Sequence, residues 1–275
     1  DFPKYSVTTP FAAGVPQVDG DTYRWLCAYT DAQMRFPERF VIAMLEDART
    51  VARECSLEFR LWTYHRVEFD GNRAILRRTD NGERSAELEP ALVVNATGAW
   101  GDLTLDGLRV SSPRLFGGTK GSHFISSSPR LRAALGRNGL YAEAADGRLI
   151  FVLPFGESVL VGTTDEVFPG SPDRAVPPPA ELAYLTGRVN HLFPQLGVSP
   201  DDVDMHYAGV RPMPKSDVDK AAAISRDHSI EESRIGDIPV WTLVGGKLTT
   251  ARAFAELVAG RICALRNLPH GTPSR

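Results

Sequence analysis

Two glycines, a lysine and two threonines stand directly before a predicted amphipathic helix near the end of the chain. They belong to the segment LVGGKLTTARAFAELV, residues 243–258. Gly245 and Gly246 let a ligand approach the backbone closely, because they carry no side chain. Thr249 or Thr250 can cap the helix, whose free N–H groups and positive dipole end favour negative charge. The segment therefore indicates a site for a ligand that develops negative charge, although a glycine-rich turn with an exposed lysine explains it equally simply.

A second candidate contact is the turn in VVNATGAW, residues 93–100. An apolar strand runs into Thr97 and Gly98, where the backbone can approach a flat ligand without interference from side chains. Taken alone, the motif is also compatible with an ordinary turn from a strand into a loop. The chain contains no G-x-G-x-x-G dinucleotide fingerprint that would decide between the two.

Arg211 ends a predicted strand in YAGVRPM, residues 207–213, among apolar neighbours. Its guanidinium group offers a planar fork for a carboxylate or a phosphate. Arg226 in the segment ISRD provides a possible second cation. The alternative is that Arg211 pairs with a local acid such as Asp217 or Asp227.

His123 in TKGSHFI is a candidate general base, because the histidine pKa lies near neutral pH. A lone histidine more often has a structural role, so the motif by itself leaves both interpretations open.

Hydrophobic periodicity places these candidates among alternating strands and helices. Helices are predicted from Pro37, after Pro179, and from Thr249 to about Leu265. Strands are predicted over most of 57–95 with a hairpin turn at 80–82, over parts of 111–168, and at 203–211, 221–227 and 239–246. The apolar run 91–94 is typical of a parallel strand buried on both faces. These patterns predict an α/β or α+β fold in two interleaved parts.

The stripe predicted to face inward on the first helix contains Phe40, Met44, Leu45, Ala48, Val51, Ala52 and Cys55. On the second helix it contains Leu182, Leu185, Val189 and Leu192, and on the last helix Phe254, Leu257, Val258, Ile262 and Leu265.

Composition excludes several classes of protein. The net charge of -3 argues against an unspecific grip on nucleic acid. Three widely spaced cysteines predict a reducing compartment and neither a disulfide framework nor a zinc site. No run approaches the roughly 18 apolar residues of a membrane-spanning helix.

Six motifs in a fixed order resemble the FAD-dependent glycerol-3-phosphate dehydrogenases of the D-amino-acid-oxidase superfamily. They are VVNATGAW, TKGSHFI, RLIFVLPFGESVLVGTTDEVFPG, YAGVRPM, AISRD and LVGGKLTTARAFAE. The likeness runs from about Trp25 to Val258, and the shared order makes it far more specific than any one motif.

The resemblance implies a bipartite flavoprotein, in which a Rossmann-like FAD domain is interleaved with a substrate cap built on an antiparallel sheet. The substrate C2 hydride passes to flavin N5, giving dihydroxyacetone phosphate, and the electrons go to quinone or oxygen. Carried onto this sequence, Arg211 and Arg226 are expected to clamp the substrate phosphate, with Lys247 touching substrate and flavin. His123 is the candidate acceptor of the hydroxyl proton. The expected FAD contacts are Ala96, Thr97, Gly98, Gly245, Gly246, Leu248 and Thr249.

The implied domain order has four parts. Residues 1–30 form an irregular lead-in to the cap, and 31–110 form part of the FAD domain with a β-meander. Residues 111–215 form the substrate cap, and 216–275 return to the FAD domain.

The chain departs from the family pattern in three ways. The first βαβ unit with its glycine fingerprint, an upstream substrate-binding arginine and the C-terminal helical domain are not in this sequence. We therefore expect an internal fragment that binds FAD weakly and is inactive by itself. A cytoplasmic location is expected, with peripheral contact to the inner face of the cell membrane left open.

Two alternatives remain at this point. An amino-acid or amine oxidase of the same superfamily would use the arginine for a carboxylate. A non-catalytic domain could also have kept the cap without the cofactor.

Overall fold

The structure, a computed structural model, describes residues 5–143, 147–215 and 227–269. The α-helices are α1 (Pro37–Glu54), α2 (Gly101–Gly107), α3 (Pro129–Leu135), α4 (Pro179–Leu192) and α5 (Ala251–Leu265). The strands are β1 (Ser6–Thr8), β2 (Leu26–Ala28), β3 (His65–Asp70), β4 (Arg73–Arg78), β5 (Arg84–Leu88), β6 (Val93–Asn95), β7 (Thr119–Ser126), β8 (Leu140–Glu143), β9 (Leu149–Phe155), β10 (Ser158–Gly162), β11 (Glu166–Val167), β12 (Met205–Arg211), β13 (Ser229–Ile235) and β14 (Ile238–Val244).

The chain divides into two compact units. Unit 1 consists of Asp1–Tyr64, His123–Thr163 and Pro179–His206, and unit 2 consists of His65–Ser122, Thr164–Pro178 and Tyr207–Arg275. The chain enters each unit more than once, as the sequence analysis predicted for two interleaved parts. The four-part domain assignment stays a prediction.

Unit 1 is built on an antiparallel sheet in which β8, β9, β10 and the second half of β7 are neighbours. Alternate strand residues such as Val152, Val159 and Val161 are fully buried, and they share one core with Leu185 and Val189 of α4. The predicted inward stripe of α4 is therefore confirmed. Burial of such apolar side chains, at about 25 cal/mol per Å² of surface, is the main stabilising contribution to this unit.

Unit 2 contains a sheet in the order β13-β14-β6, with helices contributing to a core on each face. Val240 of β14 packs in a cluster with Leu105 of α2. Its neighbour Trp241 packs with Phe254 and Val258 of α5. Successive strand side chains point to opposite faces, so this one strand serves both cores. The β3-β4-β5 meander lies in the same unit, and its hairpin turn at 80–82 is confirmed.

Three expectations about burial and strands are wrong. Val94 is 38% exposed, so β6 is not buried on both faces, although it pairs in parallel with β14 as its apolar run indicated. The helix predicted from Pro37 forms, but none of its residues is buried, since an amphipathic pattern selects a face without supplying the surface that covers it. Leu257 and Leu265 of α5 are likewise exposed, although Phe254 and Val258 are buried.

Some elements were not predicted. Strand β13 and the short helices α2 and α3 have no strong periodic signal, and residues 57–64 precede the first strand of the meander instead of belonging to it. The strand expected at 221–227 falls mainly outside the described residues.

Candidate functional site

Two of the predicted turns lie at the same edge of the sheet in unit 2. Strand β6 pairs in parallel with β14, and Asn95 stands opposite Thr242. Because the carboxyl ends of parallel strands meet at one edge, the turn at 96–98 and the turn at 245–246 both leave the sheet there. The structure thus brings together two groups of predicted FAD contacts that are about 150 residues apart in the sequence.

Asn95, which the sequence analysis did not single out, fixes the first of these turns. Its side chain is 3% exposed, and its Nδ2 donates to the carbonyl oxygen of Gly101 at 3.0 Å and to Thr242 Oγ1 at 3.4 Å. Its Oδ1 accepts from the Thr97 hydroxyl at 2.7 Å and the Thr97 amide at 3.4 Å. A polar residue ending an apolar strand was the available signal, since a buried amide needs several partners.

The glycines of the two turns differ in how much space their surroundings leave for a side chain. Gly98 has φ of +60°, and a Cβ there would meet nothing within 4 Å, so its backbone is open to approach. Gly245 has φ of +77°, and a Cβ there would lie 2.3 Å from the carbonyl oxygen of Asp227. Gly246 also has a positive φ, of +80°. A side chain is therefore disfavoured by conformation at all three positions and additionally by a backbone clash at Gly245.

Residues 247–249 are exposed at the start of the last helix. Leu248–Thr250 forms a 3₁₀ turn that leads into α5 at Ala251. The Thr250 hydroxyl donates to the Lys247 carbonyl and accepts from the Lys247 amide, each at 3.1 Å. Of the two threonines, Thr250 is thus the one whose side chain forms hydrogen bonds at the start of the helix. These bonds hold the backbone of Lys247 in place, and Lys247 itself is exposed.

Arg211 lies at the end of β12 and is partly exposed. Its Nη1 is 3.1 Å from Asp165 Oδ1, and its Nη2 donates to the carbonyl oxygen of Thr164 at 3.3 Å. Asp165 is therefore an acidic partner that the sequence analysis did not anticipate, because it lies 46 residues away. Asp217 and Arg226 lie outside the described residues, so the second prong of the clamp stays a prediction.

The strand end at Arg211 is tied to the glycine turn by a direct hydrogen bond. The Gly245 amide donates to the carbonyl oxygen of Pro212 at 3.1 Å. Within unit 2, the residue after the guanidinium-bearing Arg211 and the turn that precedes Lys247 are therefore neighbours. Two cationic side chains and a helix terminus thus belong to adjoining segments, which suits a ligand with negative charge.

His123 belongs to unit 1, whereas Arg211, Lys247 and the two turns belong to unit 2. It stands opposite Gly162 of β10, and its ring lies 5.7 Å from that of Phe151, measured between centroids. A Cβ at Gly162 would approach the His123 ring to 2.3 Å, so glycine is what makes room for this side chain. The role of His123 as a base stays a prediction.

The chemistry of these turns suits a flat ligand that carries or develops negative charge. The bare backbone at Gly98 and the helix entry at 247–250 supply N–H groups and an open approach. Among the described residues, no group of three His, Cys, Asp or Glu side chains could hold a metal ion. None of the helices in the described ranges has the length and apolarity needed to cross a bilayer.

The sequence of the chain is similar to those of known proteins. The model of the family described as DAO, FAD dependent oxidoreductase, matches residues 8–261. The chain is 35% identical over 182 residues to a glycerol-3-phosphate dehydrogenase of Synechocystis sp. and 35% identical over 168 residues to the aerobic glycerol-3-phosphate dehydrogenase of Escherichia coli. These alignments cover 62% and 60% of this chain and 32% of each relative, so the chain spans about a third of their length.

A solved structure shows the same fold over nearly the whole chain. The glycerol-3-phosphate dehydrogenase from Bacillus halodurans, complexed with FAD, superposes with a TM-score of 0.73. The sequences are 21% identical, and the superposition covers 98% of this chain and 53% of the other. At that identity the likeness shows the fold: the predicted mixture of α/β and antiparallel parts is confirmed.

Proposed function

The chain belongs to the FAD dependent oxidoreductase family, as its motifs predicted, and on that premise we propose that it serves the oxidation of sn-glycerol-3-phosphate to dihydroxyacetone phosphate. It would supply the substrate clamp and one wall of the flavin site. FAD held by this chain would supply the acceptor for the C2 hydride, a chemistry that protein side chains lack. FAD is the cofactor of the family to which the chain belongs.

The observation that carries the proposal is the hydrogen bond between the Gly245 amide and the Pro212 carbonyl oxygen, 3.1 Å long. It holds the segment bearing Arg211 beside the segment bearing Lys247. A phosphate needs several cationic donors in a small volume, and a guanidinium and an ammonium group together meet that need.

Each residue then has a stated task. Arg211 would bind the phosphate and fix the orientation of the substrate, and Arg226 would be a second cation on the same phosphate. Lys247 would place positive charge where substrate and flavin meet, which stabilises charge that develops during hydride transfer. His123 would accept the proton of the C2 hydroxyl group. The proton and the hydride together account for the two electrons and two hydrogens that leave the alcohol.

The proposed cofactor contacts lie at the shared sheet edge and at the entry to α5. Ala96, Thr97 and Gly98 would contact FAD, and Gly245, Gly246, Leu248 and Thr249 would contact its flavin ring. The support for this assignment is the parallel pairing of β6 with β14 and the open backbone at Gly98. The N-terminal end of α5, entered through the 3₁₀ turn at 248–250, favours the negative charge of a reduced ring.

An amino-acid or amine oxidase is the second candidate function. A single carboxylate is satisfied by one arginine, as in a bidentate pair. The lysine in the glycine turn and the second cation at Arg226 favour a dianionic phosphate instead. A non-catalytic binding domain would not need the positively charged helix entry to face a redox cofactor.

The test compares substrates in protein expressed from the complete reading frame of the source gene. We expect reduction of a dye acceptor with sn-glycerol-3-phosphate and none with a panel of D-amino acids, glycine and proline. Turnover of the amino acids alone would establish the amine-oxidase alternative. Protein that retains flavin but oxidises neither class of substrate would contradict the proposed reaction.

The electrons would pass to quinone or to oxygen, and contact with the membrane surface would be peripheral. Repeating the assay with a soluble quinone and with oxygen as the sole acceptor separates the two. A rate with quinone that exceeds the rate with oxygen by about tenfold or more would identify a dehydrogenase. Such a ratio corresponds to a difference of about 1.4 kcal/mol in activation free energy between the two acceptors.

A further inference from the structure

Asp102 is a buried carboxylate outside the residues assigned above. It is 7% exposed and lies at the start of α2, directly after the turn that holds Gly98. Its Oδ1 accepts from the Leu115 amide at 2.9 Å, and its Oδ2 accepts from the Phe116 amide at 3.2 Å. Arg114 Nε lies 3.2 Å from Oδ2. A carboxylate this deeply buried costs free energy unless it is bonded in this way, so it holds the segment 114–116 firmly.

The held segment is bonded in turn to the residues that follow Arg211. The Gly117 amide donates to the Met213 carbonyl oxygen at 3.0 Å, and the Lys215 amide donates to the Leu115 carbonyl oxygen at 2.8 Å. Phe116 and Pro214 form an antiparallel bridge between these two bonds. The segment that Asp102 holds therefore fixes the position of residues 213–215 through these backbone contacts.

The next bonds reach the candidate site. The Met213 amide donates to the Arg211 carbonyl oxygen at 2.8 Å, and the Gly245 amide donates to the Pro212 carbonyl oxygen at 3.1 Å. The path from Asp102 to Arg211 and to the glycine turn lies within unit 2. It begins with the two bonds that the Asp102 carboxylate accepts, and it continues through backbone–backbone hydrogen bonds joined by short stretches of chain.

Packing of an aromatic ring links the same segment to the Gly98 turn. Phe116 is 7% exposed, and a Cβ at Gly101 would lie 2.1 Å from its ring. The ring thus lies directly against the backbone at Gly101, and Asp102 is the next residue. Movement of residues 115–116 would therefore disturb both the turn after β6 and the strand end after β12.

We propose that Asp102 is a positioning residue, which sets the place of Arg211 and of the Gly245–Gly246 turn relative to the turn at Thr97–Gly98. The proposal deepens the proposed function and rests on it for the meaning of Arg211. The competing explanation is local: an acid in the first turn of a helix stabilises that helix by its charge. The two differ in which distant amides respond when Asp102 is changed.

The test is hydrogen–deuterium exchange, followed by mass spectrometry, on the 275-residue chain carrying Asp102→Asn. The substitution keeps the size of the side chain but replaces an accepting oxygen with an NH₂ group, which cannot accept from a backbone amide. We expect exchange to become about tenfold faster or more at the amides of Gly117, Lys215 and Gly245, since local opening governs their protection. Exchange within β13 and β14 should stay unchanged.

Asp106→Asn is the matched control, because Asp106 lies on the same helix and is exposed. It makes the same change of charge and should leave all of these amides unaffected. If Asp102→Asn does not fold, Arg114→Gln removes the charged partner and leaves the carboxylate, and it should accelerate exchange at the same amides to a smaller extent. Acceleration confined to residues 101–107, or spread equally over the chain, would overturn the proposal.

A separate measurement distinguishes this outcome from failure of the proposed function. Calorimetric titration with inorganic phosphate reports on Arg211 directly, and the exchange experiment needs no ligand. If the chain binds phosphate, Asp102→Asn should weaken binding by about tenfold or more, because small displacements of a binding group are costly. If exchange changes in Asp102→Asn as expected but Arg211→Ala binds phosphate as well as the unchanged chain does, the proposed function is contradicted. The positioning role of Asp102 would still be supported by the exchange result.

Discussion

Arg211 is paired with the carboxylate of Asp165 in the structure, and the proposed function adds a substrate phosphate as a competing anion. The side chains of Arg211 and Asp165 are 32% and 27% exposed, so their ion pair contributes on the order of 1 kcal/mol or less to stability. A phosphate bound through a charged fork is worth more than such a pair. Under the proposed function, Asp165 would therefore orient the guanidinium group before substrate binds and would compete only weakly with the phosphate.

For the complete enzyme, we predict that Arg211→Ala lowers the specificity constant for glycerol-3-phosphate by about 100-fold or more. The physical reason is that losing one partner of a charged hydrogen bond costs roughly 2–5 kcal/mol of transition-state binding. Steady-state kinetics measure this directly. Arg174→Ala, which removes an exposed arginine of the same unit, is the control and should leave the constant unchanged. An unchanged specificity constant in Arg211→Ala would refute the clamp.

Lys247 differs from Arg211 because its proposed task concerns charge that develops during the reaction. We predict that Lys247→Met slows flavin reduction by a larger factor than it weakens substrate binding. Anaerobic stopped-flow absorbance separates the two, since the rate at saturating substrate reports reduction and its concentration dependence reports binding. Lys215→Met serves as the control, because Lys215 is also exposed. Equal effects on rate and affinity would indicate a binding role only.

At the scale of elements, the two turns at the sheet edge impose different demands on their glycines. At Gly98 a side chain is disfavoured only by the positive φ. At Gly245 it is disfavoured by the positive φ and also by a clash with the carbonyl oxygen of Asp227. The turn after β14 is thus held from two sides, by Asp227 at the position of a Cβ and by Pro212 through its hydrogen bond.

We predict that Gly98→Ala lowers the free energy of unfolding by about 1–2 kcal/mol, which is the cost of left-handed conformation for a residue with a side chain. Gly245→Ala should cost more, because the backbone must also shift to relieve the contact. Urea denaturation with a constant m-value measures both. Gly187→Ala is the control, for which we expect an effect of opposite sign. Gly187 lies in α4, and a Cβ there would meet nothing within 4 Å, so alanine should raise the free energy of unfolding by about 0.5–1 kcal/mol. Equal costs at Gly98 and Gly245 would show that the turn around Asp227 is free to adjust.

At the scale of the whole molecule, cofactor binding depends on how much of the binding surface the chain contains. The sequence has no G-x-G-x-x-G fingerprint, and the superposition covers 53% of the FAD-bound structure. Phosphates of a dinucleotide are usually bound at the helix that follows such a fingerprint. The chain therefore has proposed contacts for the flavin ring without a recognisable site for the pyrophosphate.

We predict that the purified 275-residue chain retains no flavin after incubation with FAD and desalting. A visible absorption spectrum is sufficient, and free FAD passed through the same column is the control. A bound-flavin spectrum that is bleached by glycerol-3-phosphate without oxygen would contradict this prediction. It would also show that the residues of this chain alone form a working site.

Local patterns in the sequence predicted the features that depend on neighbouring residues. The buried stripe of α4, the hairpin turn at 80–82 and the glycine turn before α5 all follow from periodicity or from backbone conformation over a few residues. The order of six motifs predicted the family and the fold, which the comparisons confirmed. The residues of the candidate site were predicted by the same motifs, and their roles stay predictions.

Only the tertiary structure decided which distant segments meet. Asp165 lies beside Arg211, Asn95 stands opposite Thr242, and Asp102 holds Leu115 and Phe116, and in each case the local sequence does not identify the distant partner. The packing of strands, helices and loops sets these contacts, and it is a property of the folded chain. The same reason explains the exposed stripe of α1 and the exposed face of β6, since a sequence pattern specifies an apolar face and the fold alone determines whether another surface covers it.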